Sequence, residues 1–216
     1  MALKEVYYFK RKIRRDRLKE HTPVEALVNE ISESDDWAAR YTTDLGGHIN
    51  FFFFANALSI GLVQSYPDVI LIDATYRTNR YNMPLVHFLG VTAVGTTFSL
   101  AFCFLSSEND LQYCAAVAAF KELVLGDAKV EVFLTDDDTN LKTALSQHFP
   151  EVPQLLCVWH VNKNVQTEAS KLWRVNNVSE EENTANKEKR KEFMAKWEEA
   201  SCELHSPAPH SIWLLH

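Results

Sequence analysis

Residues 69–79 read VILIDATYRTN, and no other stretch constrains the fold as tightly. Four apolar residues in succession, Val69 to Ile72, fit a central strand buried on both faces. Asp73 follows directly. A carboxylate at the end of a buried strand is costly unless it is hydrogen-bonded, paired or bound to a metal. Strand carboxyl ends are also where open α/β sheets place ligands. Asp73 thus has two readings, a cap for the next turn or a site residue. A second such junction occurs at Thr135-Asp136, after the alternating strand predicted over 130–135.

The surrounding pattern predicts a mixed sheet with helical crossovers. Thr22-Pro23 starts a helix that ends near Ser34-Asp35-Asp36. Residues 40–50, polar and containing Gly46-Gly47, read as a turn. Ile49 to Ala55 (INFFFFA) is an apolar strand, and 56–66 is helical, with Leu58 and Leu62 on one face. Strands over 85–94 and 97–105 meet at Gly95 and pair antiparallel. A helix over 110–124 carries Leu111, Cys114, Val117 and Ala118 along one side and stops at Gly126. Strand 130–135, helix 139–148, strand 154–159 and a helix from His160 to Leu172 complete the series. Strand 130–135 is expected beside 69–73, in parallel. Residues 179–192 are highly charged and read as a linker leading into a helix with Phe193, Met194 and Trp197.

Apolar residues make up 46% of the 216 and charged residues 24%, a globular balance. No apolar run is long enough to span a bilayer, so no membrane role is expected. The four cysteines lack the spacing of a disulfide framework. The net charge of −7 argues against unspecific polyanion binding by the whole surface. Residues 1–20 differ, with eight Lys or Arg against three acids. That block fits a helix on nucleic acid, a nuclear localisation patch, or a solvated arm. No G-x-G-x-x-G follows the first strand, and no G-x-x-x-x-G-K-[ST] occurs, which excludes both nucleotide-binding loops at the level of motif.

If the strands ending at Asp73 and Asp136 are neighbours, the two carboxylates converge at one sheet edge. Like charges so placed repel, and a divalent cation removes the penalty. Mg²⁺ prefers such hard oxygen donors. Phosphodiester cleavage or strand transfer is the matching reaction class. Asp138 is placed to cap the helix at Thr139, and Asp137 to face water.

Here the sequence resembles a known family, the transposase domain of Mutator-like elements (the MULE group). The resemblance lies in DATYRTN at 73–79, MPL at 83–85, Gly90, Gly95, Glu108 and Tyr113. It continues in TDDDTNLKTAL at 135–145, FP at 149–150 and CVWHVNKNV at 157–165. It is firm over 50–172 and weaker over 20–49. It implies an α/β, RNase H-like mixed sheet flanked by helices, and an Asp-Asp-Glu triad holding two Mg²⁺ or Mn²⁺ ions. Asp73 would be the first acid and Asp136 the second, both catalytic and metal-binding. The third, a Glu on a late helix, is not identifiable. Only 44 residues follow Leu172 (216 − 172), and Glu198, Glu199 and Glu203 have no distinguishing surroundings. The chain is therefore expected to stop short of the last catalytic helix.

Cys157 and His160 form C-x2-H, two ligands where structural zinc uses four, so no zinc site is expected. The resemblance puts this motif on the active-site side, where His160 would touch a DNA phosphate or orient a carboxylate. Lys163 and Arg77 are further phosphate-contact candidates. Trp159 either packs or stacks on an unpaired base. The expected organisation is a basic arm and helical region at 1–48, the RNase H-like domain at 49–176, and a charged helical tail at 177–216. The expected function is that of a transposase-type domain for metal-dependent DNA strand cleavage and transfer in the nucleus, here as a fragment or degenerate copy, with transposon ends as its partner if it is active and self-association as a further expectation. The alternative is a domesticated, non-catalytic domain that binds DNA or protein.

Overall fold

The computed structural model describes residues 3–18, 22–75, 79, 81–173 and 180–204. Its centre is a seven-stranded mixed sheet flanked by helices. The strands are β1 (Trp37–Thr43), β2 (Ile49–Asn56), β3 (Val69–Thr75), β4 (Leu85–Val91), β5 (Thr97–Leu105), β6 (Val132–Thr135) and β7 (Gln154–Leu156). Their order across the sheet is β1-β2-β5-β4-β3-β6-β7. From β1 to β3 every neighbouring pair is antiparallel, whereas β6 and β7 run parallel to β3. The three sequential antiparallel strands and the parallel β3–β6 pair are as the sequence predicts.

The run Phe51–Phe54 shows why an uninterrupted apolar strand is needed. Successive side chains point to opposite faces. Phe51 and Phe53 enter the larger core, with Ile70, Ile72, Phe88 and Phe133. Phe52 and Phe54 face the other way, onto Val28 and Ile31. Those two residues lie on α2 (Pro23–Ser32), which opens with a capping box between Thr22 and Glu25. The larger core is closed by α3 (Ala57–Ser65), α4 (Asp110–Phe120) and α5 (Thr139–His148), through Val63, Tyr113, Val117, Phe120, Leu141 and Leu145.

Several local expectations are corrected. Residues 37–43 are a strand, not the start of a turn; Trp37 and Ala39 pack onto the smaller core, which offsets the strand's polar content. On α3 the buried residue is Val63, while Leu58 and Leu62 are exposed. On α4 Leu111 is exposed, and the α-helix passes into a π-helical turn, Lys121–Leu125. There Gln64 donates to the carbonyl of Leu125 at 3.1 Å. Strand β7 ends at Leu156, and α6 (Val158–Leu172) starts two residues earlier than expected. Helix α7 (Glu180–Leu204) replaces the expected linker and lies against α6, where the Trp197 indole donates to Asn162 Oδ1 at 2.7 Å. The basic segment forms α1 (Leu3–Leu18). Among the described residues no helix is long and apolar enough to cross a membrane.

Candidate nucleic-acid site at the β3–β6 edge

Strand pairing fixes the two acids before any side chain is considered. Ile72 and Thr135 are parallel partners, so Asp73 and Asp136 are the next residues on neighbouring strands. Such strands lie about 4.8 Å apart. The Cys157 amide donates to the Thr135 carbonyl at 2.8 Å, which brings the start of α6 to the same edge. Three chain segments distant in sequence therefore converge here.

Asp73 is held from two directions. Nε2 of His160, on the first turn of α6, lies 3.4 Å from Oδ1 of Asp73, and the Thr75 hydroxyl donates to Oδ2 at 3.3 Å. The His160 side chain is 16% exposed and that of Asp73 42%, so the imidazole is shielded while the carboxylate remains reachable from solvent. Asp136 is half-buried, and its Oδ1 accepts the Asp137 amide at 2.7 Å. Asp138 caps α5 as expected, accepting from the Leu141 amide at 3.0 Å, and also accepts the Tyr113 hydroxyl at 3.1 Å. Asp137 does not simply face water: it is exposed and pairs with Lys142.

His87 was not singled out by the sequence. It is the β4 partner of Asp73, stacks on Phe102 at 4.4 Å, and places Nε2 2.9 Å from the Ser99 hydroxyl. Burial lowers its pKa below the ordinary 6.5, with the negative charge of Asp73 acting in the opposite sense. The signal available was a lone titratable residue within the apolar alternation of 85–91.

The other candidates separate. Lys163 lies on α6, with Nζ 4.6 Å from the centroid of the Trp159 ring. Trp159 is half-exposed on that helix rather than packed in a strand. Cys157 is the N-cap of α6 and makes no side-chain cap bond. Arg77 lies outside the described residues. Glu198 and Glu199 are exposed on α7, and the side chain of Glu203 lies outside the described set. Among the described residues no group of three or more His, Cys, Asp or Glu is placed to hold a metal ion. The donor set at this edge, two carboxylates at neighbouring strand ends, fits one hard cation that keeps most of its water.

Comparison with known proteins adds relatives. A 180-residue stretch is 30% identical to the PKS-NRPS hybrid synthetase cheA of Chaetomium globosum, covering 79% of this chain and 4% of that protein. Protein FAR1-RELATED SEQUENCE 11 of Arabidopsis thaliana is 27% identical over 136 residues, 62% of this chain and 20% of its own length. Protein FAR1-RELATED SEQUENCE 5 of the same plant is 26% identical over 121 residues, 56% of this chain and 15% of its own. The chain thus spans a fifth or less of these relatives. Among solved structures, the HTLV-2 integrase catalytic core domain in complex with magnesium aligns with 55% of this chain and 81% of its own, at 13% identity and a TM-score of 0.28. The model of the MULE transposase domain matches residues 69–164, the segment that runs from β3 through both acids to the first turns of α6. A MULE transposase domain is present in this region of the chain.

Proposed function

We propose that this chain carries a transposase-derived, RNase H-like domain that holds DNA without cutting it. The observation that carries this reading is the engagement of Asp73 within the protein, with His160 on one carboxylate oxygen and Thr75 on the other. These two contacts take up part of the acceptor capacity of the carboxylate and leave fewer lone pairs to a metal ion. The similarity to the FAR1-related proteins shows that related sequence also occurs inside much longer chains, of which it makes up a fifth or less. The RNase H-like assignment is supported by strand order. Counted from β3 alone, the last five strands are arranged 3-2-1-4-5, the first three antiparallel and the last two parallel to the first.

Asp73 and Asp136 are the residues that would hold one Mg²⁺ or Mn²⁺. When bound, that ion supplies charge neutralisation at a phosphate oxygen. Lys163 contributes a point charge for the backbone, and the basic helix α1 a sequence-independent attraction that weakens with salt. A nuclear location goes with this reading, and the basic block at 1–20 supports it as a localisation patch.

A cleaving domain is the second reading, favoured by the neighbouring strand-end positions of Asp73 and Asp136. Supercoiled plasmid incubated with the purified chain in Mn²⁺ separates the two. We expect salt-sensitive binding without nicking. Nicking that disappears in both Asp73→Asn and Asp136→Asn would establish the cleaving domain instead.

A further inference from the structure

Trp159 and Lys163 are four residues apart on α6, one above the other on the helix surface. The indole is 43% exposed, although it is among the largest apolar groups in the chain. The His160 ring meets it edge-on, with centroids 4.7 Å apart and planes at 76°. Lys163 Nζ sits 4.6 Å from the ring centroid, a cation–π distance. His160 in turn reaches Asp73, so the aromatic step adjoins the acid-bearing strand end.

We propose that the Trp159–Lys163 step receives an unpaired nucleobase and its flanking phosphate. The preferred DNA is then an end with a single-stranded tail, not blunt duplex. This rests on the reading of the domain as DNA-binding and names the form of DNA it selects. In a duplex each base is covered by its neighbours. An unpaired base presents a π-face that an indole can cover whatever the sequence. Lys163 Nζ lies over the ring in the free protein, so the base takes its place, and the flexible stem carries the compact charge to the adjacent phosphate. The contacts that the indole already makes, with His160 at its edge and Lys163 over its ring, narrow its freedom before DNA arrives, so less is lost on binding.

The test compares a short blunt duplex with the same duplex carrying a single-stranded tail, by fluorescence anisotropy on the full chain. Wild type is expected to bind the tailed DNA about 5- to 150-fold more tightly, the range that stacking of one base provides. Trp159→Ala should bring the ratio of tailed to blunt affinity down to about one, while Trp159→Phe should keep most of the preference. A 2-aminopurine in the tail should be quenched by wild type and not by Trp159→Ala. Thermal melting of each variant checks that it is folded. Equal affinity of wild type for both DNAs, or an unchanged ratio in folded Trp159→Ala, overturns the proposal and leaves the DNA-binding reading intact. Failure of wild type to bind either DNA overturns both.

Discussion

His87 shows how a single residue ties stability to pH at this edge. Its folded-state pKa lies below the ordinary 6.5 because burial disfavours the imidazolium. The unfolded chain therefore binds this proton more readily than the folded one. The resulting stability is fully present above about pH 6.5, and it is lost as pH falls toward the folded-state pKa. Urea denaturation at pH 7.5 and 5.5 should show wild type losing stability over that interval. His87→Gln should lose less over the same interval, and an equal loss would remove His87 as the cause. Asp73 and Asp136 carry a second prediction. Asn at either position should weaken Mn²⁺ binding about tenfold or more, since a charge-assisted contact contributes about 1.5–3 kcal/mol. Calorimetric titration reads this directly, and unaltered affinity in both variants would place the ion elsewhere.

Among the elements, the β4–β5 pair shows what one glycine does. Gly90 is the partner of Phe98, and a Cβ at Gly90 would stand 2.5 Å from Phe98 Cζ. The aromatic ring lies across the space a side chain would fill. Gly90→Ala should cost about 1–3 kcal/mol, the usual range for overpacking. Phe98→Leu should recover part of this, read as non-additivity in a double-mutant cycle of thermal melts. Elements with strong local patterns were legible from sequence: β3 from its apolar run, α2 from Thr22 followed by Pro23, α5 from Asp138 and its spaced Leu141 and Leu145. Strand β1 was not, because WAARYTT has no clean alternation and its strand character comes from pairing with β2 and from Trp37 and Ala39 on the smaller core. The early start of α6 was hidden for a related reason. Val158 and Trp159 extend the apolar run of β7, and the break shows only at the Cys157 carbonyl, which accepts the first helical bond from the Val161 amide at 3.1 Å. At the site, the adjacency of Asp73 and Asp136 followed from the predicted parallel pair. The contact of His160 with Asp73 spans most of the domain and came into view only through the family resemblance.

At the scale of the molecule, β5 is the strand on which both cores depend. It pairs with β2 on one side and β4 on the other, and joins the β1–β2 hairpin to the rest of the sheet. Hydrogen exchange should find its amides among the most protected and those of β7, three residues at the sheet's edge, among the least. Uniform protection across the sheet would contradict this. The same topology governs synthesis. The hairpin bearing Phe51–Phe54 leaves the ribosome first, and the strand that covers its far edge at Phe102–Leu105 follows roughly fifty residues later. At about 5–20 residues per second, that delay is about 2–10 s. For those seconds the nascent chain displays a two-stranded, phenylalanine-lined ribbon with an open edge. Its yield in a cell is thus set as much by what attends that interval as by the stability of the finished fold.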